Sequence, residues 1–169
     1  MRYALIAVLA LIFLLAGRPD FLAAPDACFW TKAIAHHWFH ANIFHLAANC
    51  LSAWFVFKVT PYRSERTNIR NFLTATIVAT LSYAAALRPV VGISNILFAV
   101  LGLRTPSFKH PWWKNPGTIV FFAITLLMLA FPQFSATTHI VSFLCGTAIA
   151  AVKRKLNSLE HDYRRSVGR

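Results

Sequence analysis

Negative charge is almost missing from this sequence. Its 169 residues hold five acidic side chains, Asp20, Asp26, Glu65, Glu160 and Asp162, and none lies inside a long apolar run. That excludes chemistry needing a carboxylate at hydrophobic depth. There is no membrane aspartate pair for an aspartyl intramembrane protease, and no His-Glu-x-x-His motif for a metal-dependent one. Cysteine is scarce too. Cys28, Cys50 and Cys145 are odd in number and scattered, which suggests neither a disulfide framework nor a metal-type pairing. Cys50 and Cys145 read as small apolar packing residues. No cofactor or metal is expected. Charged residues of either sign make up 13% of the chain, about half the share of an average soluble domain.

Apolar side chains dominate, at 57% with a mean hydropathy of +0.55. The length suits one compact domain. Apolar segments fall at roughly 3–17, 41–58, 69–87, 94–104, 117–131 and 136–152. A net charge of +12 raises the question of nucleic acid, but the basic residues are split among loops and form no single patch. Arg2 precedes the first segment, and Lys58, Arg63, Arg66 and Arg70 lie between the second and third. Arg104, Lys109 and Lys114 lie between the fourth and fifth, and Lys153, Arg154, Lys155, Arg164, Arg165 and Arg169 follow the sixth. Of all 17 Lys and Arg residues, only Arg18, Lys32 and Arg88 fall on the opposite side. The alternation is the positive-inside pattern of a chain crossing a lipid bilayer six times with both termini cytoplasmic. Residues 1–155 are expected to form the membrane domain. Residues 156–169 form a basic cytoplasmic tail that can touch anionic headgroups.

The first segment has two readings. Met1-Arg2, an apolar run and Ala23-Ala24 resemble a secretory signal peptide. Arg18, Pro19 and Asp20 break the run before any small-residue cleavage site, so a retained first helix is favoured. The loop after it, with Phe21, Phe29, Trp30, Trp38, Pro19 and Pro25, is too apolar to hang free and is expected in the interface. Segment three reads as ordinary packing, and segment five as a helix at the bundle edge. Trp112 and Trp113 beside Lys109, His110 and Lys114 look like a cytoplasmic-side anchor.

Three segments carry polar groups that a simple lipid-facing helix lacks, and such groups are candidate functional sites. Segment four, from Ser94 to Arg104, gives about 16 Å of helix, too short for a core of about 30 Å. It is expected to begin inside the membrane, reached by chain descending from Arg88 through Pro89, with Gly92 permitting the turn. Ser94 then sits at a helix N-terminus, where unpaired N–H groups favour developing negative charge; the plain alternative is an N-cap. In segment two, His45 and Asn49 share a face, extended by Asn42 and Ser52, with His40 near the outer end. They suit oxyanion donors, or equally a satisfied inter-helix contact. Segment six carries His139, followed by Ser142, Gly146 and Ala150 at three- and four-residue steps. Ala99 and Gly102 on segment four offer a matching small surface for close helix packing, which would bring His139 towards Ser94.

Together these residues resemble the rhomboid family of intramembrane serine proteases. The likeness runs through His40-Ala-Asn-Ile-Phe-His45-Leu-Ala-Ala-Asn49, Gly92-Ile-Ser94-Asn95, and His139 with Gly146, and it covers nearly the whole chain. It implies an all-α, six-transmembrane-helix rhomboid-like bundle with a short fourth helix starting inside the membrane. It implies Ser94 as nucleophile and His139 as general base, without a carboxylate partner. His45, Asn49 and the Ser94 N–H would form the oxyanion site, with His40 supporting and Phe98 near the base where the family often has Tyr. Departures are Asn95 where Gly often follows the serine, Ser142 for the first Gly of the usual sixth-helix pair, and Thr31-Lys32 after Trp30. The resemblance also implies transmembrane protein substrates arriving from the lipid side near segments two and five. They would be cut near the outer face of what would be a bacterial cytoplasmic (inner) membrane. The rival functions are a catalytically inactive rhomboid-like binding protein and a transporter lined by His36, His37, His40, His45 and His139.

Overall fold

The computed structural model describes residues 1–16, 28–59, 64–85, 91–104 and 136–167, with positions 114, 119, 122, 123, 125 and 126 besides. Segment five as a helix, the Trp112–Trp113 anchor, the descent through Arg88 and Pro89, and the outer loop around Phe21 lie outside the described residues. Six α-helices run through the rest: α1 (Arg2–Ala16), α2 (Phe29–Ala35), α3 (Ile43–Val59), α4 (Glu65–Ser82), α5 (Ser94–Arg104) and α6 (Ala136–Val167). A short 3₁₀ turn, Tyr83–Ala85, follows α4. α5 lies at the centre, packed most extensively on α6, then on α4 and α3, while α1 packs on α3.

Local chemistry sets several ends. Asn42 precedes α3, and its Oδ1 accepts from the His45 N–H at 2.9 Å, so it is the helix cap and not part of the polar stripe. α4 begins at Glu65, four residues before the apolar run. Ser64 is extended and accepts from Thr67 N at 3.3 Å, and Glu65 sits in the positive first turn. The N-terminal ammonium lies 2.9 Å from the Glu65 carboxylate, which brings the starts of α1 and α4 together.

α6 is longer than its apolar segment. The helix continues from residue 152 to Val167, although residues 151–167 are all exposed. Lys, Arg, Leu and Glu are good helix formers, no Gly or Pro interrupts them, and Arg164 pairs with Glu160 at 2.7 Å. The region expected as a basic tail is therefore helical as far as Val167.

Among the described residues, only α6 is both long and apolar enough to cross a membrane; α1, α3 and α5 are shorter apolar helices. Leu9, Ile96, Leu97 and Val100 belong to a hydrophobic core, and polar side chains are buried beside it. Buried polar side chains include His36, His37, His40, Asn49, Ser82, Asn95, Thr138, His139 and Ser142. Leu14, Leu15, Phe44, Leu51, Ile77 and Leu144 are exposed. Polar groups inside with large apolar ones outside is the distribution a hydrocarbon solvent imposes.

Candidate active site

α5 is almost wholly buried from Asn95 to Arg104. Its first intrahelical bond runs from Leu97 N to the Ile93 carbonyl at 3.2 Å. Ile93 thus stands at the cap, and Ser94 is the first helical residue. That disposes of the capping explanation for Ser94, whose hydroxyl points elsewhere. Its Oγ lies 2.7 Å from His139 Nε2 in the first turn of α6.

His139 is buried, and its Nδ1 has no hydrogen-bond partner among the described residues. Its ring stacks on Phe98 at 4.7 Å between centroids and 13° between planes. Phe98 follows Ser94 by one helical turn, so one helix presents both the hydroxyl and the surface that orients the imidazole. Phe122 packs edge-on against Phe98 at 6.0 Å and against Phe143 at 4.7 Å.

The loop before Ser94 is shaped by Gly92, the one described residue with positive φ, at +102°. A Cβ here would meet His45 Cε1 and Nε2 at 2.9 Å and Asn49 Nδ2 at 3.1 Å. Only glycine lets this backbone lie against those side chains. Gly92 N donates to the His36 carbonyl at 2.7 Å, tying the loop to the end of α2. The His36 ring lies tilted against His37 at 3.7 Å and 4.5 Å from Tyr83, while His37 Nε2 meets Thr80 Oγ1 at 3.3 Å. Burial holds His36 down to about 4 and His37 down to about 2, with the neighbouring His36 lowering His37 further. Both rings are therefore neutral in the folded chain at neutral pH.

Asn49 donates from Nδ2 to the His45 carbonyl at 3.0 Å, which fixes the amide against the helix and leaves its second N–H available. His40 meets His45 edge-on at 5.3 Å and is buried, with neither ring nitrogen bonded among the described residues.

The small residues set the α5–α6 distance. A Cβ on Gly146 would lie 2.5 Å from the Ala99 carbonyl oxygen, and one on Gly102 would run into the Phe143 carbonyl oxygen. Ser142 is not a spacer at this crossing alone: it is buried, and its hydroxyl lies 2.6 Å from Ser82 Oγ on α4. Three further polar contacts were not singled out from the sequence. Thr138 Oγ1 donates to Asn95 Oδ1 at 3.0 Å, and Arg104 donates to the Val56 carbonyl at 3.1 Å and to Asn68 Oδ1 at 3.0 Å. Thr138 had a signal in its place directly before His139; Arg104 was counted only as loop charge.

A serine hydroxyl on an imidazole, at a buried helix start beside a glycine turn, is an arrangement found in serine hydrolases. The Rhomboid domain family matches residues 27–156, most of the chain and all of these residues. The chain belongs to the rhomboid family. A rhomboid domain is an integral-membrane helical bundle, and the family is one of intramembrane serine proteases. No curated protein matches the chain.

Proposed function

We propose that this rhomboid chain is an active serine endopeptidase that cuts transmembrane segments of other membrane proteins near the outer face. The observation that carries the proposal is the 2.7 Å approach of Ser94 Oγ to His139 Nε2. Family membership alone would suit an inactive binding protein equally well. A transporter has no need of a serine hydroxyl on the base.

The chemistry is that of a dyad. With the proton on Nδ1, Nε2 accepts the Ser94 hydroxyl hydrogen, and Oγ attacks the scissile carbonyl carbon. His139 then gives that proton to the leaving amine, and water releases the acyl-enzyme by the reverse sequence. Phe98 stacking does the orienting that a carboxylate does in a triad. The Ser94 N–H at the start of α5, the second Asn49 N–H and the His45 ring would stabilise the oxyanion, each donor contributing about 3 kcal/mol. His40 buttresses His45. The charge asymmetry supports six spans with both termini cytoplasmic, residues 1–155 forming the membrane domain and 156–169 projecting from it.

A fluorophosphonate probe tests the activated hydroxyl directly. Wild-type protein in bilayer should be labelled, Ser94→Ala should not, and His139→Ala should react at a small fraction of the wild-type rate. Labelling that survives Ser94→Ala would sink the assignment.

A further inference from the structure

We propose that Asn95 and Thr138 form a positioning bracket that holds the two helix starts carrying Ser94 and His139 at reacting distance. The inference rests on the dyad reading above. Each member of the bracket is the chain neighbour of one member of the dyad, and both side chains are fully buried. Their 3.0 Å hydrogen bond joins the first turn of α5 to the first turn of α6 beside the 2.7 Å Ser94–His139 contact. The link does not depend on which way the amide is turned, because a threonine hydroxyl both donates and accepts.

Geometry shows why a link is needed there. The close crossing runs from Ala99 to Gly102 on α5, five to eight residues below Ser94, about 8–12 Å along the helix. It fixes how near the helices approach there, while splay above it is opposed only by contacts nearer the helix starts, such as the Phe98–His139 stack, which is apolar and non-directional. A splay of about 5–8° moves the helix starts apart by about 1 Å over that length. That would take the serine–histidine contact out of hydrogen-bond range, whose upper limit is about 3.0 Å for hydroxyl donors. A bond between two short side chains at the open end removes this freedom.

The other observation concerns the cost of the bracket. Asn95 Nδ2 is buried and has no hydrogen-bond partner among the described residues. An apolar side chain would fill the same space without an unsatisfied donor, so packing stability does not account for asparagine here. Its oxygen, aimed at Thr138, does.

The test uses full-length protein in proteoliposomes with a model transmembrane substrate. Thr138→Val keeps the shape and removes the hydroxyl. It should lower kcat by about ten- to a hundredfold, with KM within about twofold, and slow fluorophosphonate labelling in parallel. Thr138→Ser, which restores the hydroxyl, should recover most of the rate; a packing role for the methyl would give the opposite order. Because Thr138→Val takes from Asn95 its one partner among the described residues and can unfold, the Asn95→Leu/Thr138→Val double variant removes both polar groups. It should recover thermal stability while kcat stays low. An active wild type with a fully active, folded double variant would overturn the bracket and leave the dyad standing. A wild type that neither cleaves nor labels would overturn the dyad reading and the bracket with it.

Discussion

Gly146→Ala sets two known effects against each other. Alanine is the better helix former by about 1 kcal/mol, so on an unpacked helix face the change would stabilise. Here the new Cβ would stand 2.5 Å from the Ala99 carbonyl oxygen and 3.1 Å from Leu103 N, where ordinary contact begins near 3.4 Å. Both obstacles are backbone atoms of α5 and cannot turn aside. The helices must part by about 1 Å, and overpacking of this kind costs about 1–3 kcal/mol, which outweighs the propensity gain. The catalytic effect should exceed the effect on stability. Parting the helices by that amount carries the 2.7 Å Ser94–His139 contact out of bonding range, and a misplacement of about 1 Å costs about a hundredfold in rate. The expected result is a folded protein with a modestly lower unfolding temperature in detergent and about one-hundredth of the wild-type cleavage rate. Gly102→Ala should behave alike, since its Cβ meets the Phe143 carbonyl. A Gly146→Ala protein with unchanged stability and at least half the wild-type rate would refute the claim that this crossing sets the distance.

Asn49→Ala should lower kcat by roughly ten- to a thousandfold with little change in KM, since an oxyanion donor acts mainly in the transition state; an unchanged kcat removes Asn49 from the site. Acid should destabilise the fold through His36, which burial holds at about 4 against an ordinary 6.5. Only the opened chain takes up this proton between those values, so stability is full above about 6.5 and falls as pH drops towards 4, by about 3 kcal/mol in all. His36→Gln/His37→Gln should make the melting-temperature profile shallower over that window, and a wild type already flat there contradicts the neutral buried rings. For topology, a cysteine introduced at Ser166 on a cysteine-free background should be reached by an impermeant thiol reagent only from the cytoplasmic side; labelling in intact cells contradicts the six-span arrangement.

The bounds of α5 were readable from the sequence because its limits are chemical: Gly92 turns the chain and Arg104 ends the apolar run. The bounds of α4 and α6 were less legible. Ser64 caps a helix whose first turn is polar, and the end of α6 is mostly polar, so hydropathy alone starts one late and stops the other early. Local motifs brought out Ser94, His139, His45 and Asn49, since each stands out as polar in an apolar segment. Pairings across the bundle were another matter. Ser82 with Ser142 joins two helices and Thr80 with His37 joins α4 to the turn after α2, and nothing in either segment names the partner. No periodicity within one helix reveals which face of another it meets.

Arg104 shows how a single residue can carry two meanings. In the sequence it counts towards the positive-inside asymmetry. In the fold it is 1% exposed, donates to the Val56 carbonyl and Asn68 Oδ1, and lies 5.2 Å over the Phe57 ring. It anchors the lower end of α5 to α3 and α4. The opposite end is tied to α6 through Asn95 and Thr138, and the Gly102–Gly146 crossing lies between. An eleven-residue helix has few intrahelical bonds of its own and leaves its terminal polar groups to be satisfied by neighbours. Side-chain bonds near both ends restrict its sliding and tilt in ways that apolar contacts, which are non-directional, do not. If Ser94 is the nucleophile proposed above, the packing of the whole bundle holds it, which is what a reaction without a carboxylate to steer the base would require.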